Sequence, residues 1–179
     1  MKAIPKRTLL VTCVVILLPM FFGLALWNRL PERMPTHFDF SGTANGYSSR
    51  PFAVIGIPLF ILAMHLFCAV MLRADPKKQN ISEKMAQLVL WVCPAASLFA
   101  GLSVYLSALG FAINVSRFGM VFVGLIFIAI GNYLPKCRHN YTVGIRVPWT
   151  LDDEDNWNHT HRFAGYVWII AGVVTLLSV

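Results

Sequence analysis

Residues 8–27, TLLVTCVVILLPMFFGLALW, decide what kind of protein this is. Twenty residues pass without a charge, and Lys2, Lys6 and Arg7 precede them. At 1.5 Å per residue such a helix covers about 30 Å, the thickness of a bilayer's hydrocarbon core. The basic flank invites comparison with a secretory signal. A signal's apolar core is shorter, however, and no small-x-small cleavage site follows this run. The stretch therefore reads as a retained membrane span, with Pro19 as a kink and Trp27 at the water interface.

Further apolar runs occupy residues 52–72, 85–106, 118–134 and 163–179. The last would reach only about 26 Å as a helix, so it is expected to begin before Phe163. Hydrophobic residues make up 57% of the 179 and charged ones 13%, about half the share of a soluble domain. The fold expected is an all-α integral membrane protein of about five transmembrane helices. Its expected division is a two-span unit over 1–72 and a three-span unit over 73–179.

A formal charge of +7 would point to nucleic acid in a soluble chain. Here the basic residues flank spans, and no direct nucleic-acid contact is expected. With the N-terminus inside, the inner segments hold eleven Lys and Arg, and the outer ones hold four, Arg29, Arg33, Arg50 and Arg117. That bias places the N-terminus and the connection before the last span in the cytoplasm, and the first connection outside. Cys13, Cys68, Cys93 and Cys137 show no metal-binding spacing and read as packing groups.

Two connections are chemically richer than chain reversal requires. The inner one, residues 131–162, holds two tryptophans, three histidines, four basic residues and four consecutive acids. Pro135 ends the fourth span. Residues 141–147, YTVGIRV, have the content of an extended segment broken at Gly144, and Pro148 keeps Val147 extended. Thr150 then reads as an N-cap with Asp152, Asp153, Glu154 and Asp155 in the first turn. Trp157, His161 and Ala164 fall on one helical face. Two readings stand here. One is an interfacial elbow whose acids offset Arg146 and Arg162. The other is a docking surface built from Asn140, Gly144, Arg146, Pro148, Trp149, Thr150, Asp153, Trp157, His161 and Arg162, since Arg and Trp often carry binding energy.

In the outer connection, Pro31, Pro35, Gly42 and Gly46 disfavour a helix, and Asn45-Gly46 predicts a turn. His37, Phe38, Asp39, Gly42, Gly46 and Tyr47 form either a surface turn whose Asp bonds its own backbone or a loop that recognises a peptide or small ligand. Among the polar residues within spans, His65 and Asn132 are singled out. An ionisable group there raises a functional hypothesis, such as a place in a transport path, beside the plainer one of bonding a backbone carbonyl.

His37 and Asp39 with His159 and His161 would suit a metal by ligand type. Span parity puts the two connections on opposite sides, and residues two apart on a helix diverge, which also weakens a set of His139, His159 and His161. No HExxH, GxSxG or P-loop pattern is present. No enzymatic chemistry, metal or cofactor is expected; a small exporter and a membrane metalloenzyme are the alternatives.

Residues 130–165, IGNYLPKCRHNYTVGIRVPWTLDDEDNWNHTHRFAG, resemble the signature of the SdpI family. Gly131, Asn132, Pro135, Asn140, Gly144, Ile145, Arg146, Pro148, Trp149, Thr150, Leu151, Trp157, Thr160, His161, Arg162 and Gly165 carry the match. Residues 30–50, LPERMPTHFDFSGTANGYSSR, are similar to the domain of unknown function that often precedes it, through Pro35, His37, Phe38, Asp39, Gly42, Gly46 and Tyr47. The resemblance implies a multi-pass protein of the bacterial inner membrane, in contact with membrane lipid, that confers immunity to a secreted peptide toxin. It also implies a cytoplasmic transcriptional repressor as partner. Members commonly have six spans, whereas five are read here.

Overall fold

A computed structural model describes residues 5–179. In chain order it contains α1 (Lys6–Ala25), β1 (Arg33–Phe38), β2 (Ala44–Ser49), α2 (Ile57–Ala74), α3 (Glu83–Ala108), α4 (Val115–Tyr133), α5 (Pro148–Asp152) and α6 (Glu154–Leu177). A π-helical turn, Phe52–Gly56, leads into α2, and a 3-10 turn, Leu134–Lys136, extends α4. Among the described residues, five helices are long and apolar enough to cross a membrane: Lys6–Ala25, Phe52–Ala74, Glu83–Ala108, Val115–Lys136 and Glu154–Leu177. The protein is a mostly helical, multi-pass membrane protein. The last span does begin before Phe163, at Glu154, which supplies the length the apolar run lacked.

Contacts gather the chain into two compact groupings. One consists of Arg7–Phe67 and Leu90–Gly119. Within it α3 faces α1 through Ser97, Gly101 and Tyr105, spaced one helical turn apart. The Ser97 hydroxyl donates to Ile16 O at 2.8 Å and the Tyr105 hydroxyl to Pro19 O at 2.8 Å. Between them, a Cβ on Gly101 would lie 2.6 Å from the Pro19 ring, so a small residue lets the backbones approach. Leu30 and Met34 complete this core with Ala53, Val54, Val104 and Tyr105.

The first connection is a β-hairpin in this otherwise helical chain. The strands pair antiparallel, Arg33 with Ser49 and Phe38 with Ala44, with irregular register around His37. Its turn is not at Asn45-Gly46, which lies in β2. The reversal occurs over residues 39–42, where Gly42 N–H donates to Asp39 O at 3.0 Å and Gly42 takes φ +85°. The Asp39 carboxylate captures the amides that follow it, and that local competition sets the turn. Arg50 closes the base: its Nη1 donates to Trp27 O at 2.7 Å and Leu30 O at 3.0 Å, with the guanidinium 4.6 Å from the Trp27 ring centroid.

The second grouping consists chiefly of Cys68–Val89 and Met120–Val179. Here α4 and α6 run antiparallel in backbone-to-backbone contact at two levels. A Cβ on Gly124 would lie 3.1 Å from Gly172 O, and one on Gly131 would lie 2.9 Å from Gly165 O. Each pair is seven residues apart on its helix, so both fall on one seam. The Phe127 and Trp168 rings, 4.9 Å apart, fill between them.

Gly131→Leu is expected to force α4 and α6 apart, because the atoms in the way are backbone. The cost should be about 1–3 kcal/mol, the scale of overpacking. Thermal unfolding in detergent measures it, with Gly119→Ala, which meets only Phe99 at 3.7 Å, as the control expected to unfold like wild type.

Candidate functional site

The inner loop, residues 137–147, has no regular structure and is tied instead by side chains. Asn140 has no exposed surface. Its Oδ1 accepts from Thr142 N–H (2.9 Å) and Val143 N–H (2.7 Å), and its Nδ2 donates to Arg138 O (2.8 Å) and Val143 O (3.0 Å). These bonds bend the segment that composition alone marked as extended. Asp75, at the end of α2 and 3% exposed, pins it from outside. One carboxylate oxygen accepts from Tyr141 N–H (2.9 Å) and the Thr142 hydroxyl (2.5 Å), and the other from Lys77 N–H (2.7 Å). Asn80 Nδ2 donates to His139 O at 2.7 Å. Lys77 Nζ stands 2.9 Å from His139 Nδ1; an ammonium can only donate, so Nδ1 accepts.

The loop's second half rests on α6. Trp157, fully buried, donates Nε1–H to Cys137 O at 2.7 Å and stacks on His161 with centroids 4.0 Å apart. His161 donates from Nδ1 to Trp157 O at 2.8 Å and accepts Ile145 N–H on Nε2 at 2.9 Å, an arrangement that requires the neutral ring. Gly144 lies between, at φ +120°; a Cβ there would collide with His161 Nε2 and crowd the Trp157 ring. Thr150, also fully buried, accepts from Val147 N–H at 3.1 Å and stands 2.8 Å from Ile145 O. Its hydroxyl thus closes the turn into α5 and does not cap α6. The N-cap of α6 is Asp153, extended at φ −133°, whose carboxylate accepts from Asp155 N–H at 2.8 Å. Arg146 donates to Tyr141 O at 2.8 Å, a backbone partner where the elbow reading had an acidic one. Burial pushes the Cys137 thiol up to about 11, against a smaller opposing pull from the Asn140 amide, which makes it a poor nucleophile.

On the hairpin, Asp39 Oδ1 accepts from the Ser41 hydroxyl (2.6 Å), Ser41 N–H (2.9 Å) and Thr43 N–H (3.0 Å). His37 Nδ1 donates to Asn45 Oδ1 at 2.6 Å across the strands, and both residues are exposed. Gly46 must lack a side chain, since a Cβ would lie 2.8 Å from His37 Cβ. Within the spans, His65 is fully buried and its Nε2 lies 2.8 Å from the Thr12 hydroxyl, so its partner is a side chain and not the carbonyl expected. Asn132 is exposed and accepts from Lys136 Nζ at 3.2 Å.

Comparison with known proteins meets the same two regions. A family model described as the SdpI/YfhL protein family matches residues 136–179, the inner loop and the last span. A domain of unknown function, DUF1648, matches residues 14–62, the first span, the hairpin and the start of the second span. The chain is 25% identical over 174 residues to the immunity protein SdpI of Bacillus subtilis (strain 168), covering 94% of this chain and 80% of that protein. Over residues 136–179 the chain is therefore similar to the SdpI/YfhL family. No solved structure matches it.

Within this chain the two sets of residues read from the sequence separate by exposure. Of the inner set, Asn140, Thr150, Trp157 and His161 are buried and bonded within the loop, and Gly144 fits beneath it. Arg146, Pro148, Trp149, Asp153 and Arg162 are exposed. Of the outer set, His37 and Tyr47 are exposed; Phe38 and Asp39 are half-buried, and Gly42 and Gly46 shape the backbone. Sequence reasoning missed Asp75, Lys77, Asn80 and His139 as loop partners, and Asn45 as the partner of His37. An aspartate placed just before the lysine pair of the basic link 73–84 was the one available signal for Asp75.

Two measurements check this geometry. Hydrogen bonds from the Ser41 hydroxyl, the Thr43 amide and lesser donors hold the Asp39 carboxyl below the usual aspartate range, against weak desolvation. The folded value is the lower one, so the turn's stabilisation is full above the ordinary aspartate range and is lost as pH falls through the folded value. Amide chemical shifts of Ser41 and Thr43 should titrate at that lower value, and Asp39→Asn should abolish the titration. Asp75→Ala, in turn, leaves the Tyr141 and Lys77 amides without their acceptor, at about 1–3 kcal/mol for buried groups. Hydrogen exchange at Tyr141 should accelerate; an unchanged rate would show that the loop does not hang on this carboxylate.

Proposed function

We propose that this chain is an immunity protein of the bacterial inner membrane that protects its host against a secreted, membrane-active peptide toxin. The observation that carries the reading is similarity to an immunity protein along 94% of the chain, through both the hairpin and the inner loop. In this reading the peptide meets the outer hairpin, on the face that presents His37, Asn45 and Tyr47. Phe38, Asp39, Gly42 and Gly46 hold the strands and turn in shape behind it. The eleven-to-four distribution of Lys and Arg supports an outward hairpin and a cytoplasmic loop.

The loop is then the docking surface for a cytoplasmic regulator, of the transcriptional-repressor kind. Its contact residues are the exposed ones: Arg146, Pro148, Trp149, Asp153 and Arg162. Trp149 has 61% of its surface left uncovered by the protein. Arg146 spends one N–H on Tyr141 O and keeps the rest of its guanidinium free. The buried members of the set contribute by fixing the backbone that carries these two.

A killing assay tests the reading. A susceptible host expressing the wild-type chain should tolerate about tenfold more of an SDP-type peptide toxin than one without it, the equivalent of ~1.4 kcal/mol in effective affinity. His37→Ala with Tyr47→Ala should abolish protection at equal membrane abundance. Arg146→Ala with Trp149→Ala should abolish recruitment of the regulator to membranes. If the inner pair leaves both protection and recruitment intact, the docking surface is wrong; if the wild type gives no protection, so is immunity to that toxin class.

A further inference from the structure

The hairpin turn holds a phenylalanine where water-soluble turns carry polar residues or proline. Phe40 is the second residue of the turn over residues 39–42, and its side chain is fully exposed, at 103% of the reference area. The turn cannot fold it away. Asp39 binds the amides of Ser41 and Thr43 on the far side of Phe40, and Gly42 N–H closes on Asp39 O. Gly42 in turn lies against the start of α4, where a Cβ would come 2.7 Å from Asn114 Oδ1 and 3.2 Å from the Val115 and Ser116 nitrogens. A rigid turn, fixed to a helix end, therefore presents a bare benzyl group.

The neighbourhood says what receives it. Phe118 is 52% exposed on the first turn of α4, and Phe111 is 59% exposed in the link just before it. Arg117 between them is exposed as well. Phe118 lies within the membrane span Val115–Lys136, so an exposed ring stands at the end of a membrane-crossing helix, next to the turn that carries Phe40. Aromatic rings with an adjacent Arg at a span's end suit the boundary between headgroups and acyl chains, where the ring is buried and the guanidinium meets phosphate.

We propose that the hairpin tip is a lipid anchor: Phe40, with Phe111 and Phe118, inserts into the headgroup–acyl boundary of the bilayer and holds the hairpin down on the membrane surface. The proposal does not depend on the immunity reading. If both hold, a membrane-partitioned peptide reaches the His37–Tyr47 face along the lipid surface rather than from bulk water.

Photocrosslinking tests this on the full chain without any toxin. The aromatic amino acid p-benzoylphenylalanine would replace Phe40, Phe118 or Asn45, one at a time. Each protein would be reconstituted in vesicles of phosphatidylcholine and phosphatidylglycerol, irradiated, and analysed for lipid adducts by mass spectrometry. All three positions are exposed, and unchanged thermal unfolding would show that the fold tolerates each replacement. The expected adduct yield at position 40 is within about threefold of that at position 118 and at least about tenfold above that at position 45, as for a residue at the interface beside one in water. A yield at position 40 equal to that at position 45 overturns the anchor. So do adducts to a second copy of the chain in place of lipid, which would make the tip a protein contact.

Discussion

Irregular backbone beside a membrane survives only where each N–H and C=O finds a partner, and the inner loop of this protein is organised by that requirement. Residues 137–147 have neither helix nor strand to satisfy them. The supply is a handful of side chains, each used at nearly every atom: Asn140 through four strong bonds, Asp75 through three, His161 through both ring nitrogens. Trp157 then covers the assembly, and its one polar atom is spent on Cys137 O. Gly144 follows from the same constraint. Ile145 N–H reaches His161 only if nothing projects from the residue before it.

The helices solve a different problem. In lipid, apolar surface gains nothing by leaving its solvent, so packing needs close approach and a few hydrogen bonds. In one grouping, Ser97 and Tyr105 bond to carbonyls of α1 on either side of the Gly101–Pro19 contact. In the other, the seam between α4 and α6 brings paired glycines together. This explains why large apolar residues such as Phe21, Phe60, Val70, Phe163 and Ile170 remain exposed without being an anomaly, because lipid is their solvent.

That asymmetry also governs how much could be read from the sequence. Span number and approximate position were legible because membrane thickness fixes the length of an apolar run. The shared face of Trp157, His161 and Ala164 was legible from helical spacing, and all three are buried. What failed was local competition. Asn45-Gly46 has the composition of a turn, yet Asp39 captured the turn first with three donors and left Asn45 to hold His37. Thr150 has the character of an N-cap, yet its hydroxyl was already engaged by Val147 and Ile145, and the extended Asp153 took the role. The contribution of Asp75 lay 66 residues from Tyr141 and left no periodicity to find.

The GIRVPWTL block divides by what holds its residues in place. Gly144 and Thr150 are fixed by the space and hydrogen bonds beneath them, so substitutions there disturb the loop whatever it binds. Arg146 and Trp149 are held by almost nothing: one bond to Tyr141 O in the first case, and 61% exposure in the second. The protein leaves that ring uncovered, as it does the lipid-facing aromatics, so lipid or a partner is what covers it. The physical argument for a partner therefore rests on the two residues the fold does not need. A loss of function from altering Gly144, Thr150, Trp157 or His161 carries no such information, since it follows from the collapse of the loop alone.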